Sequence, residues 1–309
     1  MNKIIIGTRG SDLALLQTNF VKDLILTKVK NIEVEIRIIK TTGDKILDVP
    51  LSKIGSRGLF TKELEQNLID GKIDIAVHSL KDLETTLPEG LVIGAIPRRL
   101  SVNDVLITRS KKITLTKLGT YAKIATGSMR RKAQLLHLNP NFTIVDLRGN
   151  VPTRIQKFLN SDWDAIILAR AGVERLNLRQ YISSIIPVNL ILPAVGQGAL
   201  GVECREENKN IIELLSKINH KNTELATRAE RAFLRALEGG CQVPIAAYAK
   251  VYGNEIQIEG RILSLDGSLC IYNKISGSSK NPEKIGEKLA VMLLKNGAKE
   301  ILDEVYGNK

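Results

Sequence analysis

Lys3-Ile4-Ile5-Ile6-Gly7-Thr8 is a short β-rich run, and the stretch from Asp12 to Thr27 that follows it carries helical periodicity. Glu33 to Lys40 reads as the next strand, Lys62 to Asp70 as a helix stopped by Gly71, and Ile73 to His78 as a third strand. Strands alternating with helices are the pattern of an α/β domain. The pattern then returns: Lys123 to Thr126 strand, Met129 to Leu138 helix ended before Pro140, Phe142 to Leu147 strand, Pro152 to Asn160 helix, Ala165 to Ala169 strand. Two similar halves in series predict two lobes facing a cleft. Their connections fall at Pro97 to Asn103 and at Leu192 to Gly201, and two crossovers make a hinge.

The final third reads differently. Ile245 to Val251, Glu255 to Ser264 and Ser268 to Ser276 are three strands joined at Gly253-Asn254 and Asp266-Gly267, pairs that favour antiparallel hairpins. Helical periodicity in Pro282 to Leu294 and Ala298 to Val305 supplies a cover for one face of that sheet. Ahead of it, Leu225, Ala229, Ala232, Phe233, Ala236 and Leu237 recur at helical spacing, with Asn222 or Thr223 as N-cap and Gly239 suited to the left-handed position after the helix. Cys241 therefore follows a helix end on a glycine-flanked turn, with room for a bulky adduct on its sulfur. Taken alone, that segment fits an inert buried thiol equally well.

At 309 residues the chain is long enough for two or three domains. No apolar stretch near Met1 has the length of a signal peptide and no later run approaches a membrane span, so a cytoplasmic protein without membrane contact is expected. Cys204, Cys241 and Cys270 are odd in number and lack metal-ligand spacing, which argues against a disulfide framework and against a metal site. A net charge of +12 calls for an anionic partner. Nucleic acid is disfavoured, because aromatics form only 4% of the chain and none interleave with basic residues as base-stacking platforms would.

Three segments place arginine at the start of a helix that follows a strand: Arg9 before Ser11, Arg130 and Arg131 after Ser128, and Arg154 after Asn150. A cation there opposes the helix dipole at a cost of roughly 0.3 to 1 kcal/mol. A bound carboxylate removes the conflict. Lys53 and Arg57, in a glycine-bearing loop that leads to Phe60, suit a mobile lid. His78-Ser79-Leu80-Lys81-Asp82 sets a cation beside a carboxylate at a strand end, with His78 itself expected to be structural.

Glu238-Gly-Gly-Cys241-Gln-Val-Pro244 resembles the cofactor-attachment loop of the porphobilinogen deaminase (hydroxymethylbilane synthase) family. Gly7-Thr-Arg9-Gly-Ser11, Gly55-Ser-Arg57-Gly-Leu-Phe60, Ala76-Val-His78-Ser-Leu-Lys81-Asp82, Thr126-Gly-Ser128-Met-Arg130-Arg131, Leu147-Arg148-Gly-Asn-Val-Pro-Thr-Arg154 and Leu192-Pro-Ala-Val-Gly196-Gln197-Gly198 match in the same order. The resemblance implies two periplasmic-binding-protein-like α/β lobes around a hinged cleft plus a small C-terminal α+β domain. Lobe 1 would take residues 1–97 with 199–217, lobe 2 residues 102–192, and the attachment domain residues 218–309. It implies a monomeric transferase that joins four porphobilinogen molecules onto a dipyrromethane cofactor held by Cys241 and releases hydroxymethylbilane. Asp82 would be catalytic. Lys81, Ser128, Arg130, Arg131, Arg154 and Gln197 would contact the cofactor; Arg9, Ser11, Arg148, Arg175, Lys53, Arg57 and Phe60 would contact substrate. Departures occur at Arg57, where the family often has Lys, at Leu83-Glu84, at Pro152, and at the hinge run Arg98 to Asp104. A two-lobed receptor for a dicarboxylate is the competing reading, and it leaves Cys241 and the third domain unexplained.

Overall fold

The computed structural model describes residues 3–45, 61–238 and 243–307. Of these, residues 3–45, 61–100 and 198–224 form one compact unit and residues 101–197, 225–238 and 243–307 a second.

In the first unit, strands β1 (Lys3–Thr8), β2 (Glu33–Ile38), β3 (Ile75–Ser79), β4 (Leu91–Ala95) and β10 (Leu200–Arg205) form one sheet in the order β2-β1-β3-β10-β4. β1 pairs in parallel with β2 and β3, whereas β10 runs antiparallel to both of its neighbours. The continuous apolar run of β1 follows from burial on both faces. Ile4 and Ile6 pack with Val21 and Ile25 of helix α1 (Asp12–Lys28), while Ile5 packs with Leu64 and Leu68 of α2 (Lys62–Ile69). Helix α6 (Lys209–Ser216) adds Ile211 and Leu215 to the α1 side.

The second unit holds two sheets. β5 (Asp104–Thr108), β6 (Lys123–Ala125), β7 (Thr143–Val145), β8 (Ala165–Ala169) and β9 (Ser184–Ile185) take the order β7-β6-β8-β5-β9. Three parallel strands are again followed by an antiparallel one, β5, so the two five-stranded sheets share one plan. Each sheet's antiparallel strand lies next to a crossover of the chain. Leu135 of α3 (Met129–Leu138) covers one face, and Ile155 and Phe158 of α4 (Val151–Leu159) cover the other. The run read as a crossover, Leu192 to Gly201, needs a correction, since Leu200 and Gly201 already belong to β10.

The remaining sheet is β11 (Ile245–Tyr252), β12 (Glu255–Leu263) and β13 (Cys270–Ser278), antiparallel as expected, with the Gly253-Asn254 turn closing the Tyr252 and Glu255 pair. Helices α7 (Lys221–Ala236) and α8 (Pro282–Leu293) bury Phe233 and Leu289 against Ile256, Ile258 and Ile262. Full burial of a side chain the size of Phe233 contributes about 1.5–3 kcal/mol. A final helix, α9, spans Lys299–Gly307.

The start of α7 departs from the sequence reading. Helix geometry begins at Lys221, ahead of Asn222 and Thr223, because the His220 ring does the capping: its Nδ1 accepts from the Thr223 N–H at 3.3 Å. Burial and the Arg98 charge hold the His220 pKa below its usual value, in the direction that favours the neutral ring. At the other end Glu238 takes a left-handed backbone, at φ 52°; Gly239, the residue expected to do so, lies outside the described residues. Tyr306 of α9 donates its hydroxyl to the carbonyls of Leu237 and Glu238 at 3.2 and 3.1 Å, tying down the chain at the end of α7.

Candidate functional site

Asp82 is exposed for an apolar reason. After β3 the chain makes a short 3-10 turn, Leu80–Asp82, whose flanking residues Leu80 and Leu83 are 1% and 4% exposed and pack with Ile96 and Ala199. The Leu80 N–H donates to Ala199 O at 3.0 Å. With Leu80 and Leu83 drawn into the core, Asp82 is left exposed and Lys81 half-buried between them. His78 is buried on β3, four residues before Asp82, and shares a 3.0 Å hydrogen bond with Glu203 on β10. The same unit holds Ser11, whose Oγ accepts from the Ala14 N–H at 3.4 Å as the N-cap of α1, with Arg9 half-buried ahead of it.

The second unit assembles a denser cluster. Ser128 takes the N-cap position of α3 with extended backbone, yet its side chain makes no capping bond. Gly127 beside it is required: a Cβ there would stand 2.6 Å from the Leu147 carbonyl oxygen. The helix then begins Met-Arg-Arg, and both guanidiniums turn inward, 5% exposed, onto one carboxylate. Arg130 donates to Asp104 Oδ2 at 2.9 Å and to Leu192 O at 2.6 Å. Arg131 donates to Asp104 Oδ1 at 2.8 Å and to Ile167 O at 3.2 Å. Gln197, also buried, donates its amide to Val102 O at 2.6 Å and to Asp104 Oδ1 at 2.9 Å. Burial alone would raise the Asp104 pKa; the two guanidiniums outweigh it and hold the carboxyl well below its usual range. Burial likewise pulls the Arg130 guanidinium down, with Asp104 opposing that pull.

Arg148 and Arg154 lie nearer the surface of this unit. Arg148 Nε donates to Asp146 Oδ2 at 3.2 Å, and Arg154 Nε to Gly149 O at 2.7 Å, where Asn150 caps α4 by accepting from the Thr153 N–H at 2.8 Å. Arg148 borders a concavity of about 610 Å³ that also exposes Lys157, Gln156 and Trp163. Arg175 ends helix α5 (Arg170–Arg175), where burial lowers its guanidinium to about 10, still charged at neutral pH.

The structure thus gathers Arg130, Arg131 and Gln197 and sets Lys81 with Asp82. Cys241, Lys53, Arg57 and Phe60 lie outside the described residues. Asp104 escaped the sequence reading except as part of the hinge run, because a single aspartate opening a strand carries no local signal. Among the described residues no group of three His, Cys, Asp or Glu side chains could hold a metal, and no helix is long and apolar enough to cross a membrane.

Two five-stranded sheets built on one plan, followed by an antiparallel sheet under helices, define a two-lobed α/β protein with a C-terminal α+β domain. Residues 4–213 match the family described as porphobilinogen deaminase, dipyromethane cofactor binding domain, and residues 224–295 match the porphobilinogen deaminase C-terminal domain. The chain belongs to the porphobilinogen deaminase family. It is 50% identical over 308 residues to the porphobilinogen deaminase of Syntrophomonas wolfei, covering 98% of this chain and 99% of that one. Identity is also 50% over 305 residues to the Moorella thermoacetica porphobilinogen deaminase, covering 99% and 97%. Among solved structures, substrate binding domain 2 of Lactococcus lactis GlnP is similar at 13% identity and TM-score 0.44, over 76% of this chain and 90% of that domain.

Proposed function

We propose that this chain is a hydroxymethylbilane synthase, a transferase that deaminates porphobilinogen and joins four molecules head to tail on a dipyrromethane held by the Cys241 sulfur. Two buried, unpartnered atoms support the fit of that cofactor. Gln197 Oε1 is an acceptor suited to a pyrrole N–H, and Arg131 Nε is a donor suited to a carboxylate. When bound, the group supplies the pyrrole carbon that is extended.

The protein's own part is electrostatic. Loss of ammonia from porphobilinogen leaves a cationic methylene-pyrrolenine, and the Asp82 carboxylate stabilises that charge as it develops. Asp82 also moves protons, to the departing amine and off the ring after coupling. Lys81, Ser128, Arg130, Arg131, Arg154 and Gln197 hold the cofactor; Arg9, Ser11, Arg148, Arg175, Lys53, Arg57 and Phe60 hold substrate. Every pyrrole brings two carboxylates, so the basic excess of the chain answers an accumulating negative charge. Residues 1–97 with 199–217, 102–192 and 218–309 serve as working domains of a cytoplasmic monomer that binds no nucleic acid.

The observation that carries this reading is the burial of Leu80 and Leu83 on either side of an exposed Asp82. Its test is intact mass together with turnover. Purified protein should be heavier than its sequence by two linked pyrroles, Cys241→Ala should lack the excess, and Asp82→Ala should keep the excess while losing nearly all turnover. Wild-type turnover in Asp82→Ala would remove Asp82 from its role, and a bare sequence mass in active protein would overturn the cofactor assignment.

A further inference from the structure

We infer that Asp104 is a positioning residue, whose carboxylate sets the geometry of Arg130, Arg131 and Gln197 for an anionic ligand. The inference rests on the cofactor reading above. Three donors converge on this one side chain: Arg130 on Oδ2, Arg131 and Gln197 on Oδ1. All four residues are 5% exposed or less.

A purely structural role explains the arrangement poorly. Burying two guanidiniums and one carboxylate is costly, and apolar side chains of similar volume often give equal or greater stability. The cluster also carries a net charge of +1, with one guanidinium nitrogen, Arg131 Nε, lacking any partner. Gln197 points the same way. Its nitrogen faces two oxygens, Val102 O and Asp104 Oδ1, so the amide cannot be reversed, and Oε1 is left as a buried acceptor with no partner of its own. One carboxylate therefore fixes both a spare donor and a spare acceptor. It does so from the first residue of β5, soon after one crossover, while Gln197 is the last residue of this unit before the other.

The test follows the mass of the cofactor and not activity alone. Full-length apoprotein of wild type, Asp104→Glu and Asp104→Asn would be incubated with porphobilinogen, and the gain of two linked pyrroles timed by intact mass, beside thermal midpoints. Asp104→Glu keeps the counter-charge but displaces it by one methylene, and a shift of that size at a positioned group costs on the order of tenfold to a hundredfold. Both variants are expected to load at least about tenfold more slowly than wild type, with Asp104→Glu holding a near-wild-type midpoint. Loading of Asp104→Glu at the wild-type rate would overturn the inference, because any counter-charge would then suffice. Loss of loading that merely tracks loss of folding in both variants would also overturn it. Wild-type protein that gains no mass would instead defeat the cofactor reading, an outcome separate from either.

Discussion

His78 Nε2 lies 3.0 Å from Glu203 Oε2, and the two side chains are 5% and 0% exposed. They join adjacent antiparallel strands, β3 and β10, at the register where Gly201 faces His78. Asp82 stands four residues beyond His78, so this bond secures the strand that presents it. Replacing His78 by Phe leaves Glu203 with neither carboxylate oxygen partnered, since Oε1 already has none. Leaving a buried polar group unsatisfied costs about 1–3 kcal/mol. The urea midpoint of His78→Phe is expected to fall accordingly, and an unchanged midpoint would show that the pair adds nothing to stability.

Glu65 of α2 gives the fold a pH signature. It is 7% exposed, and burial pushes its carboxyl above the ordinary value of 4.5, with the Glu203 charge adding to the rise. A carboxyl whose folded pKa is raised binds its proton more tightly in the folded state. Its contribution is therefore fully present below 4.5 and is lost as pH rises through the shifted value. Glu65→Gln should match wild type in urea titrations at about pH 4 and exceed it at about pH 8. Parallel curves for the two proteins at both pH values would contradict this assignment.

Gly286 marks the closest approach of two helices. A Cβ at this position of α8 would stand 2.1 Å from Ala229 O and 2.8 Å from Phe233 N, both backbone atoms of α7. Neither can retreat without moving the helix that leads to Cys241. Gly286→Ala is expected to destabilise by about 1–3 kcal/mol or more, the usual range for overpacking. Calorimetry checks it, and a wild-type melting temperature would mean that the helices separate freely.

Residues with strong local patterns revealed much of this fold. β1 and β8 stand where the apolar runs put them, α3 begins and ends as its periodicity dictates, and the three C-terminal strands keep their antiparallel order. β4, β5 and β10 were not legible as strands. Leu200-Gly-Val-Glu-Cys-Arg205 places a charged Glu203 in the middle of a buried strand, and only His78, distant in sequence, explains it. The cap of α7 was missed because histidine is seldom a capping residue and Thr223 offered a more ordinary candidate. Motifs led to Arg130, Arg131 and Gln197. They gave no hint that one aspartate would gather all three, because that convergence exists only after both crossovers have folded.

The interleaving of the first sheet has a price during synthesis. β10 is inserted between β3 and β4, yet it emerges from the ribosome only after every strand of the second sheet. Until then β3 and β4 each present an open edge where their future neighbour belongs, a template for pairing with other chains. The nascent protein must wait for a late strand to close an early sheet, and it depends on slow long-range pairing, and on whatever shields those edges, to stay out of aggregates.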